Sequence, residues 1–329
     1  MQPPTVPCPD RIAPQLVTLV SRPPAGSWRY EIKYDGYRML ARIESSVQLF
    51  TKNGYDWTDR MPLLAADLAR LAVHSAWIDG EVVVQEEDGR PAFQALQSAF
   101  ATRKTDNLVY VAFDLLYLNG VDLRDEPVEQ RRQALADLLD DCPLDLVGLS
   151  DTLDADPVQL LANACRLKLE GIVGKRDGSR YSGERDGSWV KLKCGNRQEF
   201  IIVGYTRASS GMGSLLLGLH DDDGHLVYAG RVKSGFSGRA LDTLRSRLRP
   251  LAQDHPALAD PPKLEKGLTV VWVAPEQVCE VKFSEITPSG KVRHAVFVAL
   301  RDDKPAAGIS LESDMEPQWA GECPGRHRV

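Results

Sequence analysis

A lysine stands inside the apolar run Tyr30-Glu-Ile-Lys33-Tyr-Asp35-Gly36-Tyr-Arg38-Met-Leu40. An amine attacks phosphorus only when unprotonated, so a lysine in that role must lose part of its usual pKa of about 10.4, through burial or a nearby positive charge. Gly36 permits a tight turn or a close ligand approach, and Arg38 offers a planar fork that matches phosphate. In "WIDGEVVV" Asp79 and Glu81 share one face of a strand beside valines, an arrangement costly to bury unless a cation meets it. Mg²⁺ is such a cation, because it takes one or two carboxylates together with substrate phosphates. Glu170 stands at the mouth of the apolar run "EGIVGK". Lys191 and Lys193 alternate along "SWVKLK" with Arg185 shortly before them, a cationic ledge suited to a polyphosphate. Phe113 in "VAFDLL" offers a ring that could stack on a base. Taken singly, each has a plainer reading: a snorkelling lysine, an edge strand, a core phenylalanine.

Such residues need elements to hold them. "YRMLARI", "SVQLFT", "AWIDGEVVV" and "LVYVAFDLLYL" read as strands from their β-branched and aromatic content. "DWTDRMPLLAADLARL", with a start signal at Asp56 or Asp59, "PAFQALQSAF", "PVEQRRQALADLL" and "DPVQLLANACRLKL" have helical spacing. After about residue 197 the chain turns to strands joined by turn residues, including a "DDDG" hairpin signal. One helix interrupts them, with an apolar stripe of Leu241, Leu244, Leu248 and Leu251. Strands around one helix suit a small Greek-key barrel.

The length of 329 residues allows two ordinary domains, and the hydrophobic and charged shares of 43% and 26% are those of a globular protein. No apolar run reaches the length of a membrane span. The N-terminus lacks a basic region followed by an apolar core, so no signal peptide is expected. The six cysteines are scattered without a Cys-x-x-Cys, which predicts neither a zinc site nor a disulfide framework and points to a reducing cytosol. A net charge of −6 is unusual for a nucleic-acid binder, but residues 122–156 are acidic while 174–197 and 230–249 are basic. Segregated charge permits an electropositive face on an acidic chain.

In order, "KYDGYR", "TKNG" (51–54), "DGE" (79–81), "FDLL" (113–116), "EGIV" (170–173) and "KLK" (191–193) resemble the motif series of the covalent nucleotidyltransferases. These are the ATP-dependent DNA ligases, RNA ligases and mRNA-capping guanylyltransferases. "RHAVFVALRDDK" (293–304) looks like the last motif of the DNA ligases and capping enzymes. "GSWRYEIKYDGYR", "LFTKNGYDWT", "FQALQSAF" and "QEFIIVGYT" look most like the ligase module of bacterial ligase D, which serves non-homologous end joining with Ku.

The resemblance implies an α+β fold: a nucleotidyltransferase (adenylation) domain of antiparallel sheets and flanking helices over 1–196, an OB-fold β-barrel over 197–304, and an arm or linker over 305–329. It implies that Lys33 carries AMP from ATP, with Glu31, Ile32 and the Lys33 backbone reading adenine and Phe113 stacking on it. Arg38, Lys52, Arg185 and Lys191 would hold ribose and phosphates, and Lys193 the α-phosphate. Glu81 and Glu170 would serve ribose or a metal, Mg²⁺ or Mn²⁺. Arg301 and Lys304 would orient pyrophosphate when the barrel closes about a hinge near 194–198. The family usually has arginine where this chain has Lys52, and lysine lacks the bidentate contact. The implied partners are nicked or broken duplex DNA, Ku, and polymerase or nuclease modules of the same system. No membrane is involved, and the chain is expected to be a cytoplasmic monomer. Without the large N-terminal DNA-binding domain of longer ligases, it reads as a minimal ligase or a module of a longer protein. Rival readings are an RNA ligase, a GTP-using capping enzyme and a non-catalytic DNA-binding scaffold.

Overall fold

Two long strands, Ala76–Val84 and Leu108–Leu118, are buried along most of their length, because their apolar runs have material packed on both faces. They form the middle of a computed structural model that describes residues 6–86, 91–208, 211–236, 238–263 and 269–312. By its internal contacts the chain divides into Met1–Cys194 and Gly195–Glu312, a boundary inside the stretch expected to act as a hinge.

In chain order the first unit carries β1 (Thr18–Leu19), β2 (Trp28–Ile32), β3 (Tyr37–Ile43), β4 (Val47–Thr51), α1 (Pro62–Leu68) and β5 (Ala76–Val84). Then follow α2 (Phe93–Thr102), β6 (Leu108–Leu118), β7 (Val121–Asp122), α3 (Val128–Asp141), β8 (Val147–Leu149), α4 (Pro157–Arg166), β9 (Gly171–Arg176) and β10 (Trp189–Lys193). One sheet has the order β4-β3-β5-β6-β7, with β8 added to β6; the other runs β1-β10-β9-β2. They meet over a shared core in which Trp189 and Tyr181 pack with Leu40, Trp77 and Leu116.

The chain crosses from the second sheet to the first between β2 and β3, where Lys33 lies. Gly36 in this crossover has no substitute, because a Cβ there would run into the Val82 carbonyl oxygen. Gly171, at φ +151°, starts β9 so close to β10 that a Cβ would strike the Leu192 carbonyl.

Two elements differ from the sequence expectation. The helix predicted from Asp56 or Asp59 is a 3-10 turn, Thr58–Arg60, followed by α1 from Pro62. Proline biases the residue before it away from helical dihedrals, and Met61 sits at φ −135°, ψ 56°. Asp56 lies two residues before the turn and accepts from the Thr58 N–H at 2.9 Å. Contrary to the expected absence of disulfides, Cys165 and Cys194 are bonded. The pairing of β9 with β10 closes the 29-residue separation and brings their Cα atoms to 5.1 Å, which linear spacing could not show.

The second unit carries β11 (Asn196–Ala208), β12 (Gly211–His220), β13 (Leu226–Val232), α5 (Gly238–Leu248), β14 (Ala252–Gln253), β15 (Val270–Val273) and β16 (Val278–Phe283). It ends with β17 (Glu285–Ile286), β18 (Val292–Arg293) and β19 (Val296–Leu300). Strand neighbours run β13-β12-β11-β16-β19, and a parallel bridge from Ser234 to Val296 brings β19 back to the chain leaving β13. β15 also pairs with β11, and β14 with β15; within this seven-stranded sheet, five strands closing on themselves with α5 between the third and fourth are the oligonucleotide-binding barrel. Leu244 and Leu248 of α5 are fully buried in its core. Residues 305–312, expected to start an arm, belong to this unit: Ile309 is buried in its core and its carbonyl accepts from the His220 N–H at 2.9 Å. The rest of the expected arm, 313–329, lies outside the described residues.

Arg131 of α3 and Asp114 of β6 form a bidentate pair at 2.8 and 2.9 Å with neither side chain exposed. Removing one partner strands a buried charge, so Arg131→Leu should cost about 3–5 kcal/mol of unfolding free energy. Urea titration followed by near-ultraviolet circular dichroism checks this; a midpoint equal to wild type contradicts it.

Candidate active site

Lys33 follows the last paired residue of β2, Ile32, and its N–H donates to the Gly171 carbonyl at 3.0 Å. Its Nζ meets the Glu170 carboxylate in an ion pair with 22% of the lysine side chain and 9% of the glutamate exposed. Sequence reasoning required the Lys33 pKa to fall; here it is raised. Burial pulls it down, but the charge and hydrogen bond of Glu170, helped by Glu81 and Asp35, outweigh burial. The pairing with Glu170 favours the ammonium form of Lys33.

Arg38, expected to clamp phosphate, points its fork elsewhere. Nε and Nη2 donate to the two carboxylate oxygens of Asp79 at 3.0 and 2.6 Å, and Nη1 donates to the Gln15 carbonyl at 2.7 Å. The Tyr181 hydroxyl donates to the same Asp79 at 2.7 Å. Asp79 is fully buried, so the cation its strand position demanded is Arg38 rather than a metal. The Arg38 pKa is raised: burial opposes its charge, and Asp79 more than compensates.

Glu31 is also turned inward. Its Oε1 accepts from Arg132 at 2.7 Å and Lys175 at 2.8 Å, and its Oε2 from Ser150 Oγ at 2.8 Å. Its carboxylate therefore ties β2 to β9, α3 and the chain after β8. Lys175 donates to the Phe113 carbonyl at 2.7 Å and stands 4.8 Å from the Phe113 ring centroid. Burial lowers the Lys175 pKa, against the pull of Glu31. Phe113 is half-buried and meets Trp189 edge-on at 5.9 Å.

The cationic ledge is present. Lys191 and Lys193 are half-buried and alternate with the buried Val190 and Leu192, and Lys193 pairs in register with Gly171, next to Glu170. Arg185 is exposed and donates to the Val17 carbonyl. Lys52 lines a cavity of about 300 Å³ with Arg11, Ile12, Phe50 and Trp77. In the second unit Arg301 and Lys304 are engaged with carboxylates. Arg301 donates to Asp303 at 2.9 and 2.8 Å and to Glu280 at 3.2 Å, and Lys304 pairs with Glu199.

Among the described residues no three His, Cys, Asp or Glu side chains gather as a metal site. Glu170 and Glu81, both acting on Lys33, are nevertheless a donor set that fits Mg²⁺, which binds through one or two carboxylates and completes its shell with phosphate and water. Arg131, Arg132, Lys175, Gln15 and Tyr181 were not singled out from sequence. For the arginines a signal exists: Val128, Arg131, Arg132 and Leu135 are spaced as one helix face and are the buried residues of α3. Charges at core positions announce buried partners.

Residues 12–193 match the family described as "ATP dependent DNA ligase domain", and 208–304 match "ATP dependent DNA ligase C terminal region". The chain is 49% identical over 318 residues to the multifunctional non-homologous end joining protein LigD of Pseudomonas aeruginosa, covering 94% of this chain and 38% of that protein. It is 30% identical over 314 residues to DNA ligase C1 of Mycolicibacterium smegmatis, covering 88% of each. A solved structure, mycobacterial DNA ligase D complexed with ATP and MES, aligns with a TM-score of 0.62 at 34% identity, covering 89% of this chain and 97% of that one. The chain spans 38–40% of the length of the LigD relatives it matches.

A raised pKa at Lys33 means that its free-amine fraction grows only at pH above the ordinary lysine range. Competitive amine labelling should show Lys33 reacting at higher pH than exposed lysines. Glu170→Gln removes the main opposing charge and should move the Lys33 transition to lower pH; a transition that stays in place contradicts the pairing.

Proposed function

The chain belongs to the ATP-dependent DNA ligases, and we propose that it seals nicks and breaks in duplex DNA through a lysyl-AMP intermediate on Lys33, in double-strand break repair by end joining. The observation that carries this reading is the Lys33 amine held against Glu170 at the crossing between two sheets, with Lys191 and Lys193 on β10, the strand paired with the β9 strand that Glu170 precedes.

In the first step Lys33 must give up its proton; a cation meeting Glu170 would offset the charge that holds that proton, and burial would then favour the neutral amine. Mg²⁺ bound to the triphosphate with Glu81 or Glu170 would neutralise charge on the phosphate oxygens. The Lys33 nitrogen forms a bond to the α-phosphorus as the bond to pyrophosphate breaks in line. Lys191 and Lys193 offset charge on the transferring group, so the chain's part is chiefly placement and electrostatics. AMP passes next to a DNA 5′-phosphate, and the adjoining 3′-hydroxyl displaces it to close the strand. Asp79 and Tyr181 hold Arg38 rigid beside Phe113 and Trp189, with its guanidinium carbon 5.5 and 5.6 Å from their ring centroids.

DNA would be held mainly by its backbone, without regard to sequence, and affinity should fall steeply with salt. With a net charge of −6, the chain gains from recruitment by Ku or by polymerase and nuclease modules. The match of the C-terminal region to the DNA ligase model supports the DNA ligase over both relatives, and the barrel supports it over an RNA ligase.

Intact-mass measurement after treatment with pyrophosphate and Mg²⁺, then with ATP or GTP, tests the first step. The expected result is one AMP-sized adduct from ATP alone, absent in Lys33→Ala, and sealing of a nicked duplex by the adduct without further ATP. A GMP adduct, or no adduct on folded protein, overturns the reading.

A further inference from the structure

Cys165 lies in the last turn of α4 and Cys194 is the residue after β10, and the two are disulfide-bonded. The loop they close contains Glu170, Lys191 and Lys193. Cys194 also donates its N–H to the Glu170 carbonyl at 2.9 Å. On the other side, the N–H groups of Lys168 and Leu169 return to the carbonyls of Cys165 and Ala164 at 3.0 and 2.9 Å. Lys168 takes the left-handed backbone region, φ 60°, to make that turn. The carboxylate that holds Lys33 is thus carried on a short turn anchored to the disulfide at both ends.

Both cysteines are half-buried, within reach of small oxidants and reductants. Cys279, by contrast, is fully buried and burial pushes its thiol pKa up, so it is inert. The helix end beside Cys165 carries partial negative charge and disfavours a thiolate there, which makes Cys194 the attacking sulfur.

We propose that Cys165 and Cys194 form a reversible thiol–disulfide modification site, closed by hydrogen peroxide and opened by a dithiol, and that closure slows lysyl-AMP formation by fixing Glu170 against Lys33. The kinetic half rests on the ligase reading. In closure the Cys194 thiolate attacks one peroxide oxygen; the O–O bond breaks, giving a sulfenic acid and, after protonation, water. The Cys165 sulfur then attacks the sulfenic sulfur, the S–O bond breaks, and a second water leaves with the thiol proton. Two thiols lose two electrons and the peroxide gains them. Reduction is exchange with a dithiol, which leaves as its own cyclic disulfide.

The test compares the full chain reduced with dithiothreitol and the same chain reoxidised with hydrogen peroxide. Free thiols are alkylated, the protein is digested, and peptides are read by mass spectrometry; AMP-adduct formation is timed in parallel. A Cys165–Cys194 linked peptide should appear only after oxidation, and the oxidised chain should form adduct about fivefold more slowly, as when a group near the reacting atoms cannot shift. Cys165→Ser and Cys194→Ser should each react at the reduced rate in both conditions. No linked peptide overturns the site; a linked peptide with equal rates overturns its control of chemistry. If no adduct forms in either state, the ligase reading and the kinetic half fall, while the peptide map still decides the pair.

Discussion

Asp79 and Asp114 lie opposite each other on β5 and β6, and neither is exposed. Two neighbouring carboxylates away from water are untenable unless each is met by a cation with good geometry. Arg38 from β3 meets the first and Arg131 from α3 the second, both bidentate. Tyr181 adds a hydroxyl from the connection between β9 and β10, and Arg131 also reaches the Glu126 and Ser179 carbonyls. One strand, one helix and one connection are thereby pinned to the middle of the larger sheet. Apolar residues of equal volume could hold such a core as firmly, but they would not fix orientation. Orientation matters because Arg38 is five residues from Lys33, across a turn that Gly36 makes close-packed.

Glu31 and Glu170 show how environment divides like residues. Glu31, two residues before Lys33, is consumed by Arg132, Lys175 and Ser150 and serves as a strut between β2, β9, α3 and the chain after β8. Glu170, at the rim, pairs with Lys33 itself. Of the two, only Glu170 acts on the charge of the Lys33 amine. The same division runs through the second unit, where Asp303, Glu280 and Glu199 surround Arg301 and raise its pKa against the cost of burial.

The strands β5 and β6 could be read residue for residue from their β-branched and aromatic content, and the hairpin of β12 and β13 from its turn residues. So could the order of the motifs, and with it the family, because each motif is a short string whose chemistry is local. The helix at Pro62, the disulfide and the extent of the second unit could not. Each depends on which distant segment comes to lie beside which, and a local pattern holds no information about that.

The site divides along the same line. Residue type and spacing determined that Lys33 is a nucleophile candidate, that carboxylates stand near it and that lysines alternate on one face of a strand. Only the tertiary structure decided which carboxylate meets which cation: Asp79 with Arg38, Glu31 with a buried arginine and lysine, Glu170 with Lys33. The physical reason is that an ion pair is a contact between side chains far apart in sequence. The charge of each partner is set by its residue type, but the choice of partner and the direction of each pKa shift are set by burial and distance, which arise when the sheets and helices pack.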